Sequence, residues 1–148
     1  MSPRRSRRND PKSSCSSSIE AAPWPPQIGE PLPRAQDAYN VQEKLADYAL
    51  NPDHATGGPK AAWFARILGI TPDDLDYLAE ALLVGVREAP ISEVRDRGNH
   101  GIQCAVIIPV RGCDQHASRV ANVLTSWEIR QDGDAPRLVT AYITTKVV

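Results

Sequence analysis

The apolar positions of this chain change their spacing near residue 90, and the change separates two kinds of structure. Upstream, Val41, Leu45, Tyr48 and Ala49 fall on one face of a helix that Pro52 ends, with Asn40 and Glu43 spaced as a capping box at its start. Pro59 suits the first turn of a second helix, in which Ala62, Phe64, Ala65 and Leu68 are the expected core contacts and Gly69 the stop. Thr71-Pro72-Asp73-Asp74 supplies a cap, a proline and two acids suited to a helix start. It opens a third helix to about Val86, with Leu75, Leu78, Leu82 and Leu83 inward. Downstream of Pro90 the period shortens. Ile91 to Arg95 is a short candidate strand, and Gly101 to Pro109 is an apolar, β-branched run followed by a turn at Gly112. Ser118 to Ile129 alternates at Val123, Thr125, Trp127 and Ile129; Asp132-Gly133 is a hairpin signal, and Arg137 to Val148 alternates again. Helices followed by strands predict an α+β domain: three short N-terminal helices packed on one face of a three- or four-stranded antiparallel meander.

The first 33 residues do not fit either spacing. Arg, Ser and Pro dominate them, and Ile19, Trp24, Ile28 and Leu32 show no period, so a disordered basic tail is expected over 1–33 and a single domain over 34–148. The PWPPQ stretch around Trp24 is expected to be extended, as a spacer or as a strap onto the domain. Residues 1–36 carry +3 and the remainder −4, within a total of −1. The folded part is therefore mildly acidic, which argues against non-specific nucleic-acid binding over its whole surface but allows a local basic pocket. The PRRSRR run is read first as a solvated tail and second as an anionic-surface contact. A 148-residue chain with 41% hydrophobic residues can build one modest core. It has no run of about 18 apolar residues and no apolar leader, so no membrane partner is expected, and the location is cytoplasmic or reached by a specialised export route. Cys15, Cys104 and Cys113 are odd in number and lack CxxC spacing, against a disulfide framework or zinc site; Cys104 reads as buried and Cys15 as exposed.

Chemistry concentrates between Lys44 and Ile70, where a loop with His54 and a Gly57-Gly58-Pro59 breaker leads into a helix that opens on Lys60. Imidazole titrates near neutrality, and a helix start presents unpaired N–H groups, so the pair makes an anion-site candidate. Lys60 is the odder placement, because a cation at a helix start opposes the macrodipole. The bland alternatives are that His54 braces its loop and that Lys60 pairs with Asp47 or Asp53. His100 and His116 lie near turns and lack ligand spacing with His54, so neither a metal nor a cofactor is expected. Two of Asp73, Asp74 and Asp76 are explained by the helix start. With no serine nucleophile elbow and no glycine-rich nucleotide loop, triad hydrolysis and ATP-driven chemistry are not expected.

The ordered set K-L-x-x-Y-x-L-N-P-x-H, G-G-x-K-A-x-x-F and L-G-I in residues 44–70, T-S-W-E-I at 125–129 and P-R-L-V-T-A-Y at 136–142 resembles a bacterial domain family of unknown function. That family occurs as small proteins and as the C-terminal module of polymorphic-toxin-like proteins, and the resemblance covers about residues 32–146. More loosely, helices before a meander ending in Thr-Ala-Tyr are similar to the barnase, EndoU and RelE group of ribonuclease toxins, an analogy at the level of fold.

Two expectations of different class follow. The resemblance implies a toxin-type, metal-independent ribonuclease acting on RNA phosphodiesters, with catalytic groups drawn from His54, Lys60, Thr140 and Tyr142. His54 would be base or acid, Lys60 or Arg66 would bind phosphate, Thr125, Thr140 and Tyr142 would offer hydroxyls, and Trp127 or Tyr142 would stack a base. Against this, a large aromatic in a strand usually packs inward, so Trp127 is read first as a core residue of the middle strand, and the threonines are ordinary strand residues. The alternative is a non-enzymatic interaction module that binds a cognate immunity or toxin protein, favoured by the acidic balance.

Overall fold

A computed structural model describes residues 24–55 and 58–145. The PRRSRR run, Cys15 and Gly57 lie outside the described residues. The first helix, α1 (Val41–Lys44), runs on into a π-helical turn, Leu45–Ala49; α2 (Gly58–Trp63) does the same through Phe64–Leu68. A 3₁₀ turn, Pro72–Asp74, leads into α3 (Leu75–Val86). Strands β1 (Ile91–Asp96), β2 (Ile102–Arg111), β3 (Val120–Ile129) and β4 (Arg137–Thr144) form one antiparallel sheet in the order β1-β2-β3-β4. The architecture is α+β, a meander with the helices N-terminal to it, and the spacing change at residue 90 marks the junction.

The inner face of the sheet holds the core. Val106, Ile108, Val123, Trp127, Ile129, Leu138 and Ala141 are buried there, in one cluster with Leu45, Phe64, Leu68, Leu78, Leu82 and Val86 from the helices. Gly85 lets α3 approach closely, because a Cβ at that position would collide with the Ile108 side chain. Gly69, at φ 66, ends the second helical segment where an L side chain would be strained. A smaller cluster of Ala105, Ile107 and Leu124, with Tyr142 against it, lies apart from that core on the opposite face of the sheet.

Two local expectations are corrected. Asn40 does not cap α1: it sits at φ 68, makes no cap bond, and sends its Nδ2 to the Leu138 carbonyl at 3.0 Å, fastening the helix start to β4. Asparagine tolerates this left-handed conformation, so a residue that reads as a cap became a staple. In the second helix Ala61, Phe64 and Leu68 are buried while Ala62 and Ala65 are exposed, an error of one position in helical phase. Order also extends upstream of residue 34. Gly29 N–H donates to the Ile91 carbonyl at 2.8 Å, Ile91 N–H donates to the Glu30 carbonyl at 2.9 Å, and Leu32 is buried. The stretch before the domain is thus a strap on β1 as far back as Gly29.

Candidate functional site

The edge of β4 is where helix and sheet side chains meet outside the core. Tyr39 N–H donates to the Pro136 carbonyl and Leu138 N–H to the Tyr39 carbonyl, so the chain entering α1 lies along β4. That contact carries the first π-turn to the same edge. With five-residue hydrogen bonding, closed by Leu50 N–H to the Leu45 carbonyl, Leu45, Ala49 and Leu50 all enter the core, and Tyr48 remains half-buried at its margin. Such turns add a residue to a helix and re-aim its neighbours, and they recur at functional sites.

Tyr48 is the centre of the site. Its hydroxyl is hydrogen-bonded by the Lys60 ammonium. Lys60 Nζ lies 4.7 Å from the Tyr48 ring centroid, off its hydroxyl edge, and 5.0 Å from the centroid of the Tyr142 ring, within cation–π range of that second ring. Lys44 Nζ is 5.5 Å from the Tyr48 ring, and the His54 ring meets it edge-on, with centroids 4.9 Å apart and planes at 78°. The partner of Lys60 is therefore a phenol rather than the carboxylate of Asp47 or Asp53. A cation at a helix start is compensated here by the Tyr48 hydroxyl and the Tyr142 ring.

The cluster is electrostatically biased. Hydrogen bonding to Lys60 lowers the Tyr48 pKa from its ordinary 10.0; burial opposes this, while the Thr140 hydroxyl and the charges of Lys60 and Lys44 lower it further. Thr140 lies beside the phenol without closing a hydrogen bond of normal geometry. Among the described residues its Oγ1 is the buried side-chain polar atom left without a partner. Buried polar atoms are rarely left so, and this hydroxyl, buried against Tyr48, has hydrogen-bonding capacity to spare.

His54, Lys60, Thr140 and Tyr142 thus share one neighbourhood, and Tyr48, which sequence reasoning assigned to a core stripe, joins them. The signal that could have found it is the tyrosine set four residues after Lys44 and six before His54. The other nominated residues lie elsewhere. Thr125 and Trp127 are both 0% exposed: Trp127 Nε1 donates to Thr125 Oγ1 at 2.8 Å, and Thr125 Oγ1 donates to the Val106 carbonyl at 2.7 Å. They have no surface for a substrate, because their alternation faces the helices. Arg66 is exposed and stacks 5.2 Å from the Trp63 ring. Among the described residues no group of three or more His, Cys, Asp or Glu could hold a metal ion, and no helix is long and apolar enough to cross a membrane. Burial pushes the Cys104 thiol up to about 11; the partly buried Cys113 is also raised, by burial and then by Asp74 and Asp114.

Residues 31–145 match the model of a family described as a domain of unknown function, DUF6883. No curated protein matches the chain. Among solved structures, one chain of a contact-dependent growth inhibition toxin–immunity protein complex from Klebsiella pneumoniae 342 superposes with a TM-score of 0.54 at 14% identity, covering 74% of this chain and 94% of that one. At that identity the likeness is one of fold.

Proposed function

The chain belongs to the DUF6883 family, and within that family we propose that it is a toxin-type ribonuclease that cleaves RNA phosphodiesters without a metal. The observation that carries this reading is the Lys60 ammonium bonded to the Tyr48 hydroxyl beside the Tyr142 ring, with His54 against the Tyr48 ring and the Thr140 hydroxyl close by. Cleavage by internal transfer needs three things that such a cluster can supply. A base takes the proton of the ribose 2′-OH as its oxygen bonds to phosphorus; a cation holds the charge gathering on the phosphate; an acid protonates the departing 5′-oxygen as its bond to phosphorus breaks. The products are a 2′,3′-cyclic phosphate and a free 5′-hydroxyl. We assign the base to His54, the phosphate contact to Lys60, with Thr140 Oγ1 donating to the same phosphate, and the acid to Tyr48, whose hydroxyl Lys60 makes easier to deprotonate. Tyr142 lies beside the ammonium. The likeness to a chain from a toxin–immunity complex agrees with a role in a toxin system.

The test is incubation of the full chain with structured and single-stranded RNA in the presence of EDTA, with product ends analysed. Cyclic-phosphate ends that disappear in Lys60→Met support the reading. Absence of cleavage, together with unchanged toxicity of a His54→Ala, Lys60→Ala double variant, removes it. A second reading, a binder for a cognate toxin or immunity protein, is favoured by the −4 charge of residues 37–148. It gains if RNA stays intact and co-expression of this chain neutralises a toxin.

A further inference from the structure

The outer face of the sheet holds a trough of about 240 Å³ beside the lysine cage. Strand register explains why it is hollow. Glu93, Ala105, Ser126 and Thr140 form one cross-strand row, and the two middle positions are small. The rows on either side carry longer groups, Arg95 and Gln103 in one, Leu124 and Tyr142 in the other. Small residues between long ones leave a slot with an apolar floor, Ala105 and Leu124, and a polar rim. Its volume is below the roughly 300–1,000 Å³ of pockets for drug-sized ligands, which suits a single planar nucleobase.

The rim has unspent hydrogen-bonding capacity. Glu93 and Arg95 are exposed, and among the described residues neither has an ion-pair or side-chain hydrogen-bond partner. They stand two residues apart on one face of β1, roughly 7 Å along the strand. Gln103 accepts from Arg97 Nη1 at 2.9 Å, which occupies its carbonyl and leaves its amide N–H groups for a ligand acceptor. The slot therefore offers a carboxylate that accepts, beside a guanidinium and an amide that donate. Among nucleobases, guanine has adjacent N–H donors at N1 and N2 and paired acceptors at O6 and N7, the pair that arginine reads. Uracil lacks the amino group, adenine lacks the acceptor pair, and cytosine lacks the adjacent N–H donors on ring and amino nitrogens.

We propose that this trough is a guanine subsite, and that Tyr142, shared by trough and cage, sets the base on one side of its ring and the following phosphate on the Lys60 side. The proposal rests on the RNA-cleaving reading and adds that the scissile bond follows a guanosine, whose own 2′-OH attacks the 3′-phosphate. Base stacking on Tyr142 and hydrogen bonds at the rim share the recognition.

Two measurements keep this separate from the nuclease reading. Guanosine 5′-monophosphate, titrated into the full chain by calorimetry, is expected to bind about tenfold or more tightly than the adenosine, cytidine and uridine monophosphates, the discrimination one good bidentate contact provides. Glu93→Gln is expected to erase that preference without moving the melting temperature. Cleavage of a mixed RNA is expected to fall after G in the native chain and to lose that bias in Glu93→Gln. Equal binding of all four nucleotides, or a guanine preference that survives both Glu93→Gln and Arg95→Gln, overturns the subsite. Cleavage with no base bias overturns the subsite and leaves the nuclease standing. Guanine-selective, Glu93-dependent binding in a chain that cuts no RNA supports the subsite and removes the nuclease.

Discussion

Thr125 and Thr140 occupy neighbouring strands of one sheet, yet their hydroxyls have opposite fates. Thr125, on the inner face, is fully buried and saturated: it gives its proton to the Val106 carbonyl and accepts the Trp127 indole N–H. Thr140, on the outer face beside Tyr48, is buried at its oxygen and has no partner. The same residue type closes a structural network on one side and leaves capacity open on the other. A satisfied buried hydroxyl stabilises the fold; an unsatisfied one costs stability and is retained where something else uses it.

The contrast is broken most severely through the inner face. Trp127→Ala removes the largest side chain of the core, so a loss of about 3–5 kcal/mol is expected by denaturant unfolding. If the variant melts with the native chain, the inner face is not the packed layer described. The outer-face counterpart is Lys60→Met, which preserves bulk and removes the charge. Cleavage is expected to fall by roughly 10²–10³-fold, as when one donor to a developing oxyanion is removed, with the fold retained by circular dichroism. Equal activity would detach the cage from the chemistry.

A matched pair of substitutions sharpens the comparison at smaller amplitude. Thr125→Val leaves the Trp127 indole N–H buried and unpaired and is expected to cost about 1–3 kcal/mol. Thr140→Val removes a hydroxyl that closes no hydrogen bond of normal geometry, so it is expected to leave stability near neutrality unchanged or raise it slightly while lowering cleavage and weakening the downward shift of the Tyr48 pKa. The opposite order of stabilities would show that Thr140 is the structural hydroxyl. Chemical denaturation of the two variants in parallel decides it, since both lose the same atoms.

How far the sequence foretold this contrast depends on the range of the interaction. Periodicity located three helical segments and the meander, because one face of each element must meet the core and a change from helical to alternating spacing is a local signal. His54 and Lys60 were legible because their loop is short and their side chains are chemically unusual there. Tyr48 was not, because its spacing fits the core stripe of Val41 and Leu45, and only the π-turn holds it at the margin. Thr125 and Thr140 were indistinguishable for a related reason. Strand alternation assigns a face but does not say which face the helices cover, and the register shift between Ser126 and Trp127 alters the phase between β3 and β4. Asn40 failed similarly: its staple is a bond to Leu138, almost a hundred residues away.

The finest probe of the outer face is the titration of Tyr48. Four tyrosines are present, and Tyr48 is expected to ionise below the ordinary 10.0, chiefly because Lys60 bonds its oxygen. In ultraviolet absorbance a phenolate step should therefore appear early, vanish in Tyr48→Phe, and move upward in Lys60→Met. The linkage has a definite sign. Between the folded-state value and 10.0 the unfolded chain holds more protons on this phenol than the folded one, so its contribution to stability grows with pH across that window. It is complete above 10.0 and is lost as pH falls through the folded value. Tyr48→Phe should remove this linkage together with the proton that the proposed acid delivers. A Tyr48→Phe chain that folds and cleaves as the native one does would return the acid role to His54 and leave the lowered phenol as a consequence of packing against Lys60.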